Sequence, residues 1–387
     1  MRTSIQVGRL IGIPIRLHFS FLLLFPFIVL IFAYAPRPVG LGDLVSLSQP
    51  VRYALAAIAA FLFLLSLLLH ETSHSYVAMR YGTKIRGITL FIFGGIAMME
   101  DLPKEPAKEL RIAIAGPLMS FALGGAFLLA HFSLSAVDQA IYYPFTVLLF
   151  SLGLLNIVLA SFNLLPAFPM DGGRVLRAVL AKRMQFLTAT KRAVFVGKTF
   201  AVIMAVVGFM PNPFVLYATG HVQLPFNPWL TLIAVFLYIA ATEEERATVT
   251  FASLEGIQVK QLMRRENVSV REDMPLTALM EKMLAERNGE YAVVDERDEL
   301  KGLITFTEIK KLPAEQRYLL KVADILRPFD RSSEGISQED GAIEALKRMI
   351  STKKELLAVE DAERGAIVGI VTKRDLAMFI EMLRGSR

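Results

Sequence analysis

His70, Glu71 and His74 stand together in the stretch HETSH, at the end of an apolar run long enough to cross a bilayer. In a helix, residues four apart share one face, so His70 and His74 can offer two imidazole nitrogens to one ion, with Glu71 one step around. This is the H-E-x-x-H arrangement, in which two histidines hold Zn²⁺ and the glutamate takes a proton from bound water. Ionisable groups in a membrane span cost about 2.5–3.5 kcal/mol each at its centre. Three in one stretch need a partner, and a divalent cation supplies one.

Catalytic zinc usually takes three protein ligands and keeps one position open. The other histidines are His18, His131 and His221. The topology argued below puts His131 and His221 on the far side and leaves His18 at the edge of the first span. The better third ligand is Asp171, in FNLLPAFPMDGGR at 162–174, which follows a later apolar run and reaches the same side. Pro166 and Pro169 stop the helix, and Gly172-Gly173 is expected to make a sharp turn.

The elements that carry these residues follow from composition. The chain has 387 residues, 54% of them hydrophobic; soluble domains average about 45–50%. The excess lies before residue 243, where runs at 18–35, 53–79, 111–131, 144–165, 194–210 and 228–242 approach the length of about 20 residues that a helical span needs. Six spans put both termini on one side. With the N-terminus inside, segments 1–17, 80–111 and 172–193 hold 15 Lys and Arg, whereas 36–52, 132–143 and 211–227 hold only Arg37 and Arg52. By the positive-inside rule both termini are cytoplasmic and the protein sits in the cell membrane. Ala33-Tyr34-Ala35 has the pattern of a signal-peptide cleavage site, but Pro36 would follow the cut, so the run is read as a retained span.

Residues 1–242 carry 18 Lys and Arg against 8 Asp and Glu, and the rest 24 against 28. The basic excess lies in loops between apolar runs, where membrane topology accounts for it and nucleic-acid binding is not needed. With no cysteine, disulfides, Fe–S clusters and thiolate zinc sites are excluded.

HETSH in a second span, AGP at 115–117 in a third and NLLPAFPMDGG at 163–173 after a fourth resemble the site-2 protease family of intramembrane zinc metalloproteases. The resemblance covers about residues 10–240. It implies that His70, His74 and Asp171 bind one zinc ion, that Glu71 is the general base, and that Asn163 helps hold the substrate carbonyl. It also implies that LFIFGGIAMME at 90–100 is a membrane-dipping hairpin, turning at Gly94-Gly95, where Phe93, Gly94 and Gly95 meet an extended substrate strand. Gly116, Gly124 and Gly125 are read as close helix packing.

Beyond residue 242 the chain repeats itself. VKQLMR at 259 returns as VADILR at 322, and YAVVDERDELKGLITFTEI at 291–309 returns as LAVEDAERGAIVGIVTKRDL at 357–376. Each unit reads as helix, strand, acidic turn, strand, helix. This resembles a tandem pair of CBS domains, which implies an adenosine nucleotide (ATP or AMP) held by Thr372 and Asp375 of GIVTKRDL. Thr305 is the first-copy equivalent, with Glu308 where aspartate is expected. A homodimer through the pair is the other implication.

The expected architecture is multi-domain: a polytopic α-helical membrane domain of six transmembrane helices (1–245), then an α+β tandem CBS pair (257–312 and 321–384). The expected function is zinc-dependent cleavage of membrane-anchored proteins within the lipid bilayer, regulated from the cytoplasm. The rival from another class is a CBS-gated transporter or channel with His70, Glu71 and His74 on an ion path; a catalytically inactive scaffold is a third reading.

Overall fold

Apolar runs entered by proline at a first turn fold as helices, because proline pre-sets the helical φ where no N–H is needed. In the computed structural model this holds for α2 (Gln49–Arg80), α3 (Pro106–Ser135) and α7 (Pro228–Ser253). The structure describes residues 4–385 apart from 45–46, 92–93, 100–104, 137–142, 211–226, 266–268, 298, 327–328 and 362–366. The chain divides into two units, residues 1–246 and 247–387.

The first unit adds α1 (Phe21–Tyr34), α4 (Tyr143–Asn163), α5 (Asp171–Ala181) and α6 (Phe186–Gly208). A helix stands at each of the six expected places, but only α2, α3 and α4 are long and apolar enough to cross a membrane by length and composition. The reasons are local. α1 has 14 residues. Every 18-residue window of α6 contains Lys191, Arg192 and Lys198, and α7 meets Glu243, Glu244 and Glu245 before such a window closes.

A four-stranded sheet, β1 (Ser4–Leu10), β2 (Ile13–His18), β3 (Ile85–Phe91) and β4 (Gly94–Met99), lies in that order with β2 and β3 parallel. β1 and β2 join through Ile11-Gly12, both at positive φ (52° and 79°), the conformation that tight hairpins favour. In the second hairpin, Gly94 and Gly95 are not the turn. They lie in β4, opposite Phe91 and Leu90, and the connection precedes them. Phe93 lies outside the described residues.

α3 and α4 pack closely at Gly124 and Gly153, where an added Cβ would come within 2.8 Å of Ile157 Cγ1 and 2.7 Å of Leu128 Cγ respectively. Gly125 departs from the packing reading: it faces open space.

In the second unit one plan occurs twice. β5 (Ser269–Arg271), α8 (Leu276–Ala285), β6 (Glu290–Val294), β7 (Leu300–Thr305) and α9 (Phe306–Lys310) form the first copy. β8 (Gly335–Ser337), α10 (Ala342–Thr352), β9 (Leu356–Glu360), β10 (Ile367–Thr372) and α11 (Lys373–Gly385) form the second. Each has a three-stranded sheet with its middle strand parallel to the first and antiparallel to the third. The copies exchange leaders: Val259, Leu262 and Met263 pack with Ile336, Leu357 and Val371, while Val322 joins Val270, Tyr291 and Ile304. Neither core closes without a segment from the other half of the repeat.

Candidate metal centre

The spacing of His70 and His74 on α2 does what the sequence promises. The two Nε2 atoms lie 3.2 Å apart, and Asp171 Oδ2 lies 3.3 Å from the first and 3.1 Å from the second. These residues are the group of three donors, among the described residues, placed to share one ion. His18 instead meets Ser20, and His131 Nδ1 donates to the Thr146 carbonyl between α3 and α4. His221 lies outside the described residues.

The far nitrogen of each imidazole is also fixed. His74 Nδ1 lies 2.7 Å from the Ile112 carbonyl, which can only accept, so Nδ1 carries the proton and Nε2 keeps its lone pair for a metal. His70 Nδ1 lies 2.9 Å from Ser120 Oγ. Such outer partners orient metal ligands and raise their basicity.

Ile112, Gly116 and Ser120 follow one another at intervals of four on α3, so they form one face. The middle residue makes room. A Cβ on Gly116 would lie 2.1 Å from His74 Nε2 and 2.6 Å from His70 Nε2, inside the space where the donors converge. Gly116 is therefore part of the site rather than a helix-packing glycine, and Ile112 and Ser120 are site residues that sequence reading missed. The signal available was Gly116 and Ser120, two small residues four apart in AGPLMS.

Asp171 is brought to this point by a departure from the expected turn. It opens α5, and Gly172-Gly173 form the first turn of that helix. Their missing side chains let α5 press on the chain before it. A Cβ on Gly172 would lie 2.1 Å from Leu165 O, and one on Gly173 2.7 Å from Phe168 N. The reversal is made by 164–170, with its two prolines. α5 is then pinned by Arg177, which donates from Nε to Glu109 of α3 (2.8 Å) and from Nη1 to Glu244 of α7 (2.9 Å) and covers the rings of Phe168 and Phe186.

Glu71 is half-buried and lies against β4: a Cβ on Gly95 would come within 2.5 Å of its Cγ. It is outside the donor group. Among the described residues β4 pairs with β3 alone, so its other edge ends the sheet. Asn163 closes α4, and its side chain makes no hydrogen bond among the described residues.

The donor set fits zinc. Two imidazoles and a carboxylate converge, their outer atoms are held, and a glycine keeps the central space clear. Three ligands and a neighbouring glutamate are the composition of a catalytic rather than a structural site.

The second-copy residues Thr372 and Asp375 are used by the fold. Asp375 Oδ2 accepts from Thr372 N (2.9 Å) and Oγ1 (2.7 Å), and Arg264 reaches the same carboxylate at 3.2 Å. Thr305 and Glu308 make the equivalent capping box in the first copy, so the longer glutamate reproduces the local contact.

This arrangement defines a zinc metallopeptidase set among apolar helices. A family model for peptidase family M50 matches residues 58–146 and 134–207, and one for the CBS domain matches 259–315. A zinc metalloprotease of Methanocaldococcus jannaschii is 34% identical over 99% of this chain and 98% of its own. The stage IV sporulation protein FB of Bacillus subtilis is 28% identical over 58% of this chain and 70% of its own. Among solved structures, a site-2 protease from Methanocaldococcus jannaschii is 39% identical, with a TM-score of 0.40, over 63% of this chain and 95% of that one. The chain belongs to peptidase family M50, the site-2 proteases, and is a metalloprotease carrying a CBS domain.

Proposed function

We propose that the chain cuts a peptide bond in or near the transmembrane segment of membrane-anchored proteins, with His70, His74 and Asp171 as zinc ligands and Glu71 as general base. The observation that carries this reading is the convergence of three donor atoms from α2 and α5 within 3.3 Å of one another. Zinc held by these three residues would supply a Lewis acid for the scissile carbonyl and an activated water. Glu71 is the group placed to hold the proton an attacking water gives up and to return it to the leaving amine. The substrate segment unwinds and lies along the open edge of β4, with the backbone of Gly94 and Gly95 beside Glu71. A strand added there gains main-chain hydrogen bonds that offset lost helical ones. Asn163, with its amide unengaged, donates to the substrate carbonyl.

α1, α2, α3, α4, α6 and α7 are read as six spans with both termini cytoplasmic, on the strength of 15 inner against 2 outer basic residues. The tail, with residues 257–312 and 321–384 as its two CBS domains, regulates the protease by taking an adenosine nucleotide at Thr372 and Asp375, and by pairing two chains. The repeated plan and the two matching helix-start boxes support a paired module.

The test is zinc content of detergent-purified protein beside His70→Ala/Asp171→Ala. About one zinc per chain, lost in a variant that keeps its helical signal, is the expected result. No bound metal after zinc is supplied would overturn the reading and favour a transporter or scaffold.

A further inference from the structure

α5 and α6 diverge enough to leave a groove of about 440 Å³ between them. Its floor is apolar, made by Leu176 and Leu180 of α5 with Phe195 and Val196 of α6. Thr188, Lys191 and Arg192 line it with their carbon stems, and as exposed residues they place two cations and a hydroxyl at its rim. All three polar residues are exposed, and neither cation meets a carboxylate among the described residues. No Asp or Glu occurs anywhere from 172 to 242, so this segment offers none. Two exposed cations and a hydroxyl above an apolar trough match an amphiphile with an anionic head.

The surface beyond the groove says where that amphiphile comes from. Phe195 is 71% exposed, and from it a run of exposed apolar side chains continues along α6 through Val202, Ile203, Val206 and Val207. An exposed apolar face of this kind marks contact with a membrane or another apolar surface. The trough is continuous with it, and the basic rim lies where α6 begins, in the positive segment assigned to the cytoplasmic face. Lys and Arg at that level attract anionic headgroups.

We infer that the groove between α5 and α6 is a binding site for one anionic phospholipid. Its phosphate is held by Lys191, Arg192 and Thr188, and an acyl chain lies over Leu180, Phe195 and Val196. The site shares α5 with the metal centre, since the helix that walls the groove begins at Asp171. The inference rests on reading α6 as membrane-embedded, and it is tested by binding alone, so its failure is separable from failure of the protease assignment.

The experiment is native mass spectrometry of the full chain in detergent, titrated with phosphatidylglycerol or phosphatidylcholine. Wild type is expected to retain one phosphatidylglycerol about tenfold or more tighter than phosphatidylcholine, and Lys191→Gln/Arg192→Gln to lose that preference. Lys182→Gln/Arg183→Gln removes equal charge outside the groove and is expected to leave the preference intact. Val196→Trp, which keeps both cations but fills the trough, is expected to weaken binding. If the control pair lowers binding as much as the groove pair, diffuse attraction explains it and the proposal fails. If inorganic phosphate competes fully and Val196→Trp has no effect, the cations hold a free phosphate and the lipid site is equally refuted.

Discussion

His74 on α2 donates through Nδ1 to the carbonyl of Ile112 on α3 at 2.7 Å. α3 contributes no donor to the metal cluster, yet it sets both imidazoles. Ile112 fixes one ring, Ser120 the other, and Gly116 between them keeps the shared space open.

Gly116→Ala should therefore abolish metal binding without adding any charge or hydrogen bond. Its methyl would stand 2.1 Å from His74 Nε2, and the ring has no second position that keeps Ile112. Gly125→Ala, on the same helix but facing open space, should leave zinc unchanged and raise stability by up to about 1 kcal/mol from helix propensity. Zinc per chain and apparent melting temperature for the two variants decide the matter. Equal zinc in both would show that Gly116 is only a packing residue.

Glu71→Gln should retain zinc and lose cleavage by about 10²–10⁴-fold, the range that a positioned acid–base group contributes. The amide keeps the size of the side chain against Gly95 but cannot accept the proton. Cleavage of a single-span reporter in proteoliposomes, measured beside zinc content, separates base from ligand. Loss of zinc would make Glu71 a ligand instead.

Arg177→Met should cost about 3–5 kcal/mol, because it leaves Glu109 buried with no cation. Adding Glu109→Gln should recover much of that loss, since the orphaned charge is then gone. The expected readouts are a lowered apparent melting temperature and weakened zinc retention in the single variant, because α5 carries Asp171. An unchanged melting temperature would show that aromatic packing alone holds α5.

Deleting residues 255–387 should leave zinc content unchanged, since every ligand and every orienting partner lies in residues 1–246. Loss of zinc from a truncated but folded protein would mean that the tail completes the site.

The three donors of the candidate metal centre were legible because chemistry fixes residue type and helical spacing at once. His70 and His74 could be read from four-residue spacing, and Asp171 from its place after an apolar run. The CBS-like tail was legible because its units repeat in order and in length. What stayed hidden depended on contacts between segments far apart in sequence. Gly172-Gly173 has the composition of a turn, but its purpose is to let a helix press against residues 164–168. Gly116 and Gly125 are identical in sequence terms, and only the neighbour each faces separates them. Of the six spans read from the sequence, α2, α3 and α4 are long and apolar enough by composition, whereas α1 is short and α6 and α7 carry charge within their helices.

Asp171 lies 97 residues after His74, with α3 and α4 between them. During synthesis the two histidines emerge first, without their orienting helix and without their carboxylate. Ile112 and Ser120 must arrive before the rings are set, and Asp171 later still. The protein is thus born without its cutting edge and acquires it only as its central helices come together, so a chain stalled before Asp171 lacks a complete donor set.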